Sequence, residues 1–137
     1  MHLEVITRRP TGAARPTPLL FIHGAWHGAW CWDEYFLPYF AEHGYEAHAL
    51  SLRGHGKSAG QVRWVSALDY VNDVEQVARS FSRMPVLIGH SLGGYVVQKY
   101  LAGRRAPAAA LLASVPVNGI LRFMLRHAAQ HPASALK

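Results

Sequence analysis

The sequence predicts an α/β fold, a mostly parallel sheet with helices on both faces, from three observations. Short continuous apolar runs, each bounded by Pro or Gly, read as strands buried on both faces. Between them lie stretches whose apolar residues recur at helical spacing. The two kinds alternate along the chain, and that alternation is how βαβ units build a parallel sheet.

The elements follow in order. Residues 3–7 form an expected opening strand, and Pro10, Gly12, Pro16 and Pro18 then interrupt regular pairing. Leu19, Leu20, Phe21 and Ile22 make a buried strand between Pro18 and Gly24. Residues 33–43 carry Tyr35, Phe36, Tyr39 and Phe40 at helical spacing, with Pro38 in the first turn and Gly44 as the stop. A strand follows at residues 45–50, then a glycine-punctuated loop over 51–58. Ser66 with Asp69 three residues later forms a capping box for a helix striped by Tyr70, Val71, Val74, Val77, Ala78 and Phe81. Residues 85–89 read as another buried strand, 92–102 as a helix ended by Gly103, 109–113 as a strand, 116–119 as a turn and 120–130 as a helix.

A chain of 137 residues, 50% hydrophobic and 16% charged, is sized for one core, which excludes disorder and collagen-like repeats. A single cysteine, Cys31, forms no disulfide within the chain, and nothing around it lowers a thiol pKa, so it reads as an inert thiol in a reducing compartment. Residues 1–9 lack the apolar run of a signal peptide, and no apolar run is long enough to span a membrane. A cytoplasmic location is expected. The net charge of +6 comes from arginines scattered over many segments, which argues against nucleic acid as a partner.

The chemistry concentrates at Gly89, His90, Ser91, Leu92 and Gly93, a GxSxG run with a strand before it and a helix after it. A nucleophilic serine needs a sharp strand-to-helix turn, and the flanking glycines relieve the crowding that such a turn creates. The same turn aims the Leu92 amide and the positive end of the helix at a developing oxyanion. His23, Gly24, Ala25 and Trp26 directly follow a buried strand, where a second oxyanion donor belongs, and Ala25 is the expected one. The same four residues also read as a plain glycine turn, with His23 bonded to loop backbone. His55 and His90 read as structural loop histidines, with contact to substrate the alternative for His90. Trp26 fits either a pocket or the core, whereas Trp30, Trp32 and Trp64 read as core.

Together the His23 and Gly24 pair, the RGHG run at residues 53–56 and the GHSLGG run at residues 89–94 resemble the α/β-hydrolase superfamily in its amino-terminal half. The resemblance implies Ser91 as nucleophile, the amides of Ala25 and Leu92 as the oxyanion hole, a small carboxylic ester as substrate, and no cofactor or metal. The run HGAWHGAWCW over residues 23–32 is similar to the methyl-esterase and hydroxynitrile-lyase branch, whereas RGHGKS over 53–58 is more typical of general esterases and lipases.

The family order places an Asp or Glu and then a His after the nucleophile, but no acid follows residue 75. The two later histidines, His127 and His131, fall where the resemblance puts the start of a cap region. One domain is therefore expected over 1–137, with its core running to about 118 and a cap-like helix beginning over 119–137. Its sheet is expected to be truncated after the sixth family strand, with an exposed edge through which the chain forms a homo-oligomer. Three functions stay open at this point: an ester hydrolase, a catalytically incompetent module that binds ligand or itself, and a lyase.

Overall fold

The computed structural model describes residues 1–119. In chain order it shows β1 (Val5–Arg8), β2 (Leu19–Ile22), α1 (Trp30–Asp33), α2 (Phe36–Glu42), β3 (Ala47–Leu50), α3 (Ala67–Ala78), β4 (Val86–His90), α4 (Leu92–Leu101) and β5 (Ala109–Leu112). One sheet runs in the order β1-β3-β2-β4-β5. The last four strands of that order are mutually parallel, and β1 runs antiparallel to β3.

Antiparallel β1 is the departure from uninterrupted βαβ units, and the connection after it explains the difference. A parallel return needs a crossover of about a dozen residues, usually a helix. The stretch between Arg8 and Leu19 contains three prolines and forms no helix.

Strand β2 is buried on both sides, and its alternate residues divide the core in two. Leu20 and Ile22 join Leu50, Leu87 and the inner sides of α3 and α4, including Val74, Val96 and Val97. Leu19 and Phe21 join Ala47, Ala49, Ile88, Trp32 and Leu37 on the face covered by α1 and α2. Helices thus cover both faces, as the apolar runs predict. Each fully buried Leu, Ile or Phe here contributes about 1.5–3 kcal/mol.

The single helix expected over 33–43 is two helices, and Pro38 is the reason. A proline ring clashes with the carbonyl four residues earlier, here Glu34, so no helix continues through that residue. Tyr35 breaks the run at φ −138°, and α2 starts afresh with Pro38 in its first turn. Gly44 ends that segment at φ 86°. The capping box of α3 is present in full: the Ser66 hydroxyl accepts from the Asp69 amide and the Asp69 carboxylate accepts from the Ser66 amide.

At the opposite edge from β1, β5 is exposed along its whole length, with Leu111 45% and Leu112 37% accessible. The helix expected over 120–130 lies outside the described residues.

Candidate active site at the carboxyl ends of β2 and β4

The chain leaves β2 toward β3 on one side and returns to β4 on the other, so the strand order reverses between β2 and β4. Loops at such a reversal diverge and leave a crevice beyond the carboxyl ends of the strands. Ile22 pairs beside both Leu50 and Gly89, so the three strands end level and present the loops after residues 22, 50 and 90 at one edge.

Ser91 occupies the turn between β4 and α4 at φ 51°, ψ −111°, a left-handed conformation that costs a non-glycine residue about 1–3 kcal/mol. The surroundings enforce it. The Ser91 amide donates to the Leu112 carbonyl at 3.0 Å, and the Ser91 carbonyl accepts from Tyr95 and Val115 at 3.1 Å each. Close approach also demands the flanking glycines. A Cβ on Gly89 would lie 2.5 Å from the Gly93 carbonyl oxygen, and one on Gly93 would strike the carbonyl oxygens of Ile22 and His23. Although Ser91 is the N-cap of α4, its hydroxyl makes no capping hydrogen bond and stays available.

The loop after β2 packs directly on this turn. A Cβ on Gly24 would lie 3.2 Å from the Ser91 Cβ and 2.9 Å from His90 Nδ1. Among the described residues, neither the Leu92 amide nor the Ala25 amide donates to any protein acceptor. The structure therefore brings the three residues singled out by sequence, Ser91, Leu92 and Ala25, to one place with two free amides.

A buried polar network supports the loops. His23 is wholly buried; its ring places Nδ1 2.7 Å from the Gly24 carbonyl oxygen and Nε2 3.0 Å from the Leu52 amide. These partners assign the proton to Nδ1 and the lone pair to Nε2. Burial drives the His23 pKa down to about 4, so the ring is neutral near pH 7. The expectation that His23 binds loop backbone agrees with this geometry. The His55 ring lies 4.9 Å from the His23 ring, tilted at 57° to it, and its Nδ1 bonds to the Arg53 carbonyl.

Three acidic or hydroxyl side chains that the sequence did not single out complete the support. Ser51 accepts from the Ala29 amide at 2.8 Å and donates to Glu4 at 2.6 Å, and Glu4 also accepts from the Lys57 amide at 2.9 Å. Burial pushes the Glu4 carboxyl up, but the bonds from Lys57 and Ser51 outweigh it and hold the group below its ordinary value. Asp73, wholly buried on α3, accepts from the Arg53 backbone amide at 3.0 Å and from its guanidinium at 2.7 Å. Its sequence signal is an acid within the apolar stripe of Tyr70, Val74 and Val77; Glu4 and Ser51 give no such signal.

The tryptophans need a correction. Trp32 is core, packed 5.1 Å from Phe21 and edge-on to His90 at 6.4 Å. Trp30 is 53% exposed and Trp64 89%, contrary to the core reading, while Trp26 stands 94% exposed. Trp26 and Trp64 sit in loops at left-handed φ values of 61° and 64°, beyond the reach of either core cluster. Cys31 is half-buried, and that burial raises its thiol pKa, in keeping with an inert thiol.

His127 and His131 lie outside the described residues. Among the described residues, no group of three or more His, Cys, Asp or Glu side chains converges to hold a metal ion, and no helix is long and apolar enough to cross a membrane.

Comparison with known proteins places this geometry in context. The model of the alpha/beta hydrolase family matches residues 19–137. A non-heme chloroperoxidase of Burkholderia pyrrocinia is 36% identical over 111 residues, covering 80% of this chain and 39% of that protein. A methylesterase of Arabidopsis thaliana is 35% identical over 78 residues, covering 55% of this chain and 30% of its own length. The chain thus spans well under half of the curated relatives it matches. Among solved structures, a monoacylglycerol lipase of Paleococcus ferrophilus aligns over 84% of this chain and 44% of its own with a TM-score of 0.71. At 20% identity, that is a likeness of fold alone.

Proposed function

Because the chain belongs to the alpha/beta hydrolase family, we propose that it acts as a serine hydrolase on small carboxylic esters, with Ser91 as nucleophile. One observation carries this reading: Ser91 is held in a left-handed turn with its hydroxyl uncapped, beside two amides, of Leu92 and Ala25, that have no acceptor among the described residues. The relatives named as esterases agree with it.

In the proposed reaction the Ser91 oxygen attacks the ester carbonyl carbon, and the carbonyl oxygen becomes an oxyanion bound by the amides of Leu92 and Ala25. The first turn of α4 adds its positive end. A base takes the serine proton and hands it to the departing alcohol; water then cleaves the acyl-serine and releases the acid. No metal or cofactor takes part. A second copy docked on the exposed edge of β5 is one route by which a base, His127 or His131 of that copy, reaches Ser91.

A second reading is a hydrolase-fold module that binds ligand or itself without turnover, and the exposed edge of β5 supports it. Hydrolysis of a short p-nitrophenyl ester by the chain, measured beside Ser91→Ala with the oligomeric state recorded by light scattering, separates the two. A rate that vanishes in Ser91→Ala supports the hydrolase. Equal rates overturn it and leave the binding module.

A further inference from the structure

We propose that His23 is a positioning residue: by holding the Gly24 carbonyl oxygen, its Nδ1–H fixes the peptide plane that carries the Ala25 amide and so aims that amide at the oxyanion. The proposal rests on the hydrolase reading and deepens it.

The argument starts from the peptide unit. The Gly24 carbonyl and the Ala25 N–H belong to one planar group, and no peptide bond among the described residues is cis. The two therefore point in opposite directions, and whatever fixes the oxygen fixes the hydrogen. At 2.7 Å, His23 Nδ1 is the close partner of that oxygen; the other donor, the His27 amide, stands at 3.4 Å.

The rest of the loop ties the neighbourhood through His27, whose ring lies 2.9 Å from the Ala25 carbonyl oxygen on the next peptide unit. To the Gly24 oxygen itself it makes only the long 3.4 Å contact. A glycine precedes the peptide bond, and Trp26, next after Ala25, sits at φ 61°, where a large side chain is strained. The ring, by contrast, is clamped. It is wholly buried, Nε2 accepts from the Leu52 amide at 3.0 Å, and His55 packs 4.9 Å away. A hydrogen bond accepted at the carbonyl also polarises the amide and strengthens its N–H as a donor.

The same ring also ties the loop after β2 to the loop after β3 through Leu52, and a purely structural role would reside in that second bond. Two substitutions separate the bonds. An Asn side-chain amide reaches the place of the imidazole Nδ1 and keeps the donor to Gly24, whereas a Gln side-chain oxygen reaches the place of Nε2 and keeps the acceptor for Leu52.

The probe is an alkyl fluorophosphonate. The Ser91 oxygen bonds to phosphorus, fluoride leaves, the hydroxyl proton passes to solvent, and the phosphoryl oxygen takes the oxyanion position. Labelling rates are measured by intact mass for the full chain, Ser91→Ala, His23→Asn and His23→Gln, below the melting point of each. Loss of one oxyanion donor costs about a hundredfold or more, so a misaimed donor in His23→Gln slows labelling at least about tenfold, while His23→Asn stays within about threefold of the unaltered chain.

The reverse order, or equal slowing in both variants, overturns the positioning role while leaving Ser91 the nucleophile. Labelling that does not depend on Ser91 overturns the hydrolase reading and this proposal with it. If His23→Gln does not fold, the amide proton of Ala25 decides by NMR. It moves downfield on phosphonylation in the unaltered chain and in His23→Asn, and an unmoved signal overturns the proposal.

Discussion

Acidification from pH 7 to pH 5 should destabilise this fold mainly through one ring. His23 is neutral in the folded chain with a pKa of about 4, against 6.5 for an unhindered histidine. The unfolded chain therefore binds the extra proton first. The stability this group contributes is fully present above about pH 6.5 and is lost as the pH falls toward and through about 4. At about 1.4 kcal/mol per pH unit the whole loss is about 3 kcal/mol, of which about 2 kcal/mol falls between pH 7 and pH 5. Burial lowers the His48 pKa as well and adds in the same direction. The carboxyls held low by their partners, Glu4, Asp69 and Glu75, weaken the fold as the pH falls through the free-carboxyl values of 3.8 to 4.5 and below, so the chosen window reports mainly on the histidines. The assay is urea unfolding at pH 7 and pH 5 for the chain and for His23→Asn, reading the change with pH and not the absolute stability. The unaltered chain should lose about 2 kcal/mol more than the variant. Equal losses, or a His23 ring that titrates near pH 6.5 by NMR, would refute the reasoning.

Two further substitutions test the frame of the site. Gly93→Ala drives a methyl onto the carbonyls of Ile22 and His23, where backbone has no room to yield, and should lower stability by about 1–3 kcal/mol in thermal unfolding. An unchanged midpoint would show that α4 shifts freely. Asp73→Asn removes the buried charge that holds Arg53 and should cost about 3 kcal/mol by urea unfolding, at the low end for a broken buried pair because the guanidinium keeps some contact with water. A loss below about 1 kcal/mol would mean that the neutral amide holds the loop as well as the carboxylate does.

What the sequence made legible was local. The apolar runs of β2 and β4 are buried on both faces because their strands are central, and for such strands hydropathy and burial coincide. The glycines around Ser91 are visible because steric demand leaves few alternatives to glycine. The rest depends on distant partners. The direction of β1 follows from which strand it meets, not from its own residues. The outward placement of Trp64 reflects its loop position and that of Trp30 its place at the start of α1, facing away from the core, to both of which hydrophobicity is blind. The roles of Glu4 and Ser51 exist only once residues 47 apart are joined, and no local pattern encodes that pairing.

That last joint bears on the order of events during folding. The helices close through neighbours a few residues away and form early, while the loops after β3 wait for Glu4 of the amino-terminal segment some fifty positions upstream, a closure with an entropic cost. Cleavage or bulky fusion ahead of Val5 should therefore slow the joining of these loops more than it disturbs the helices.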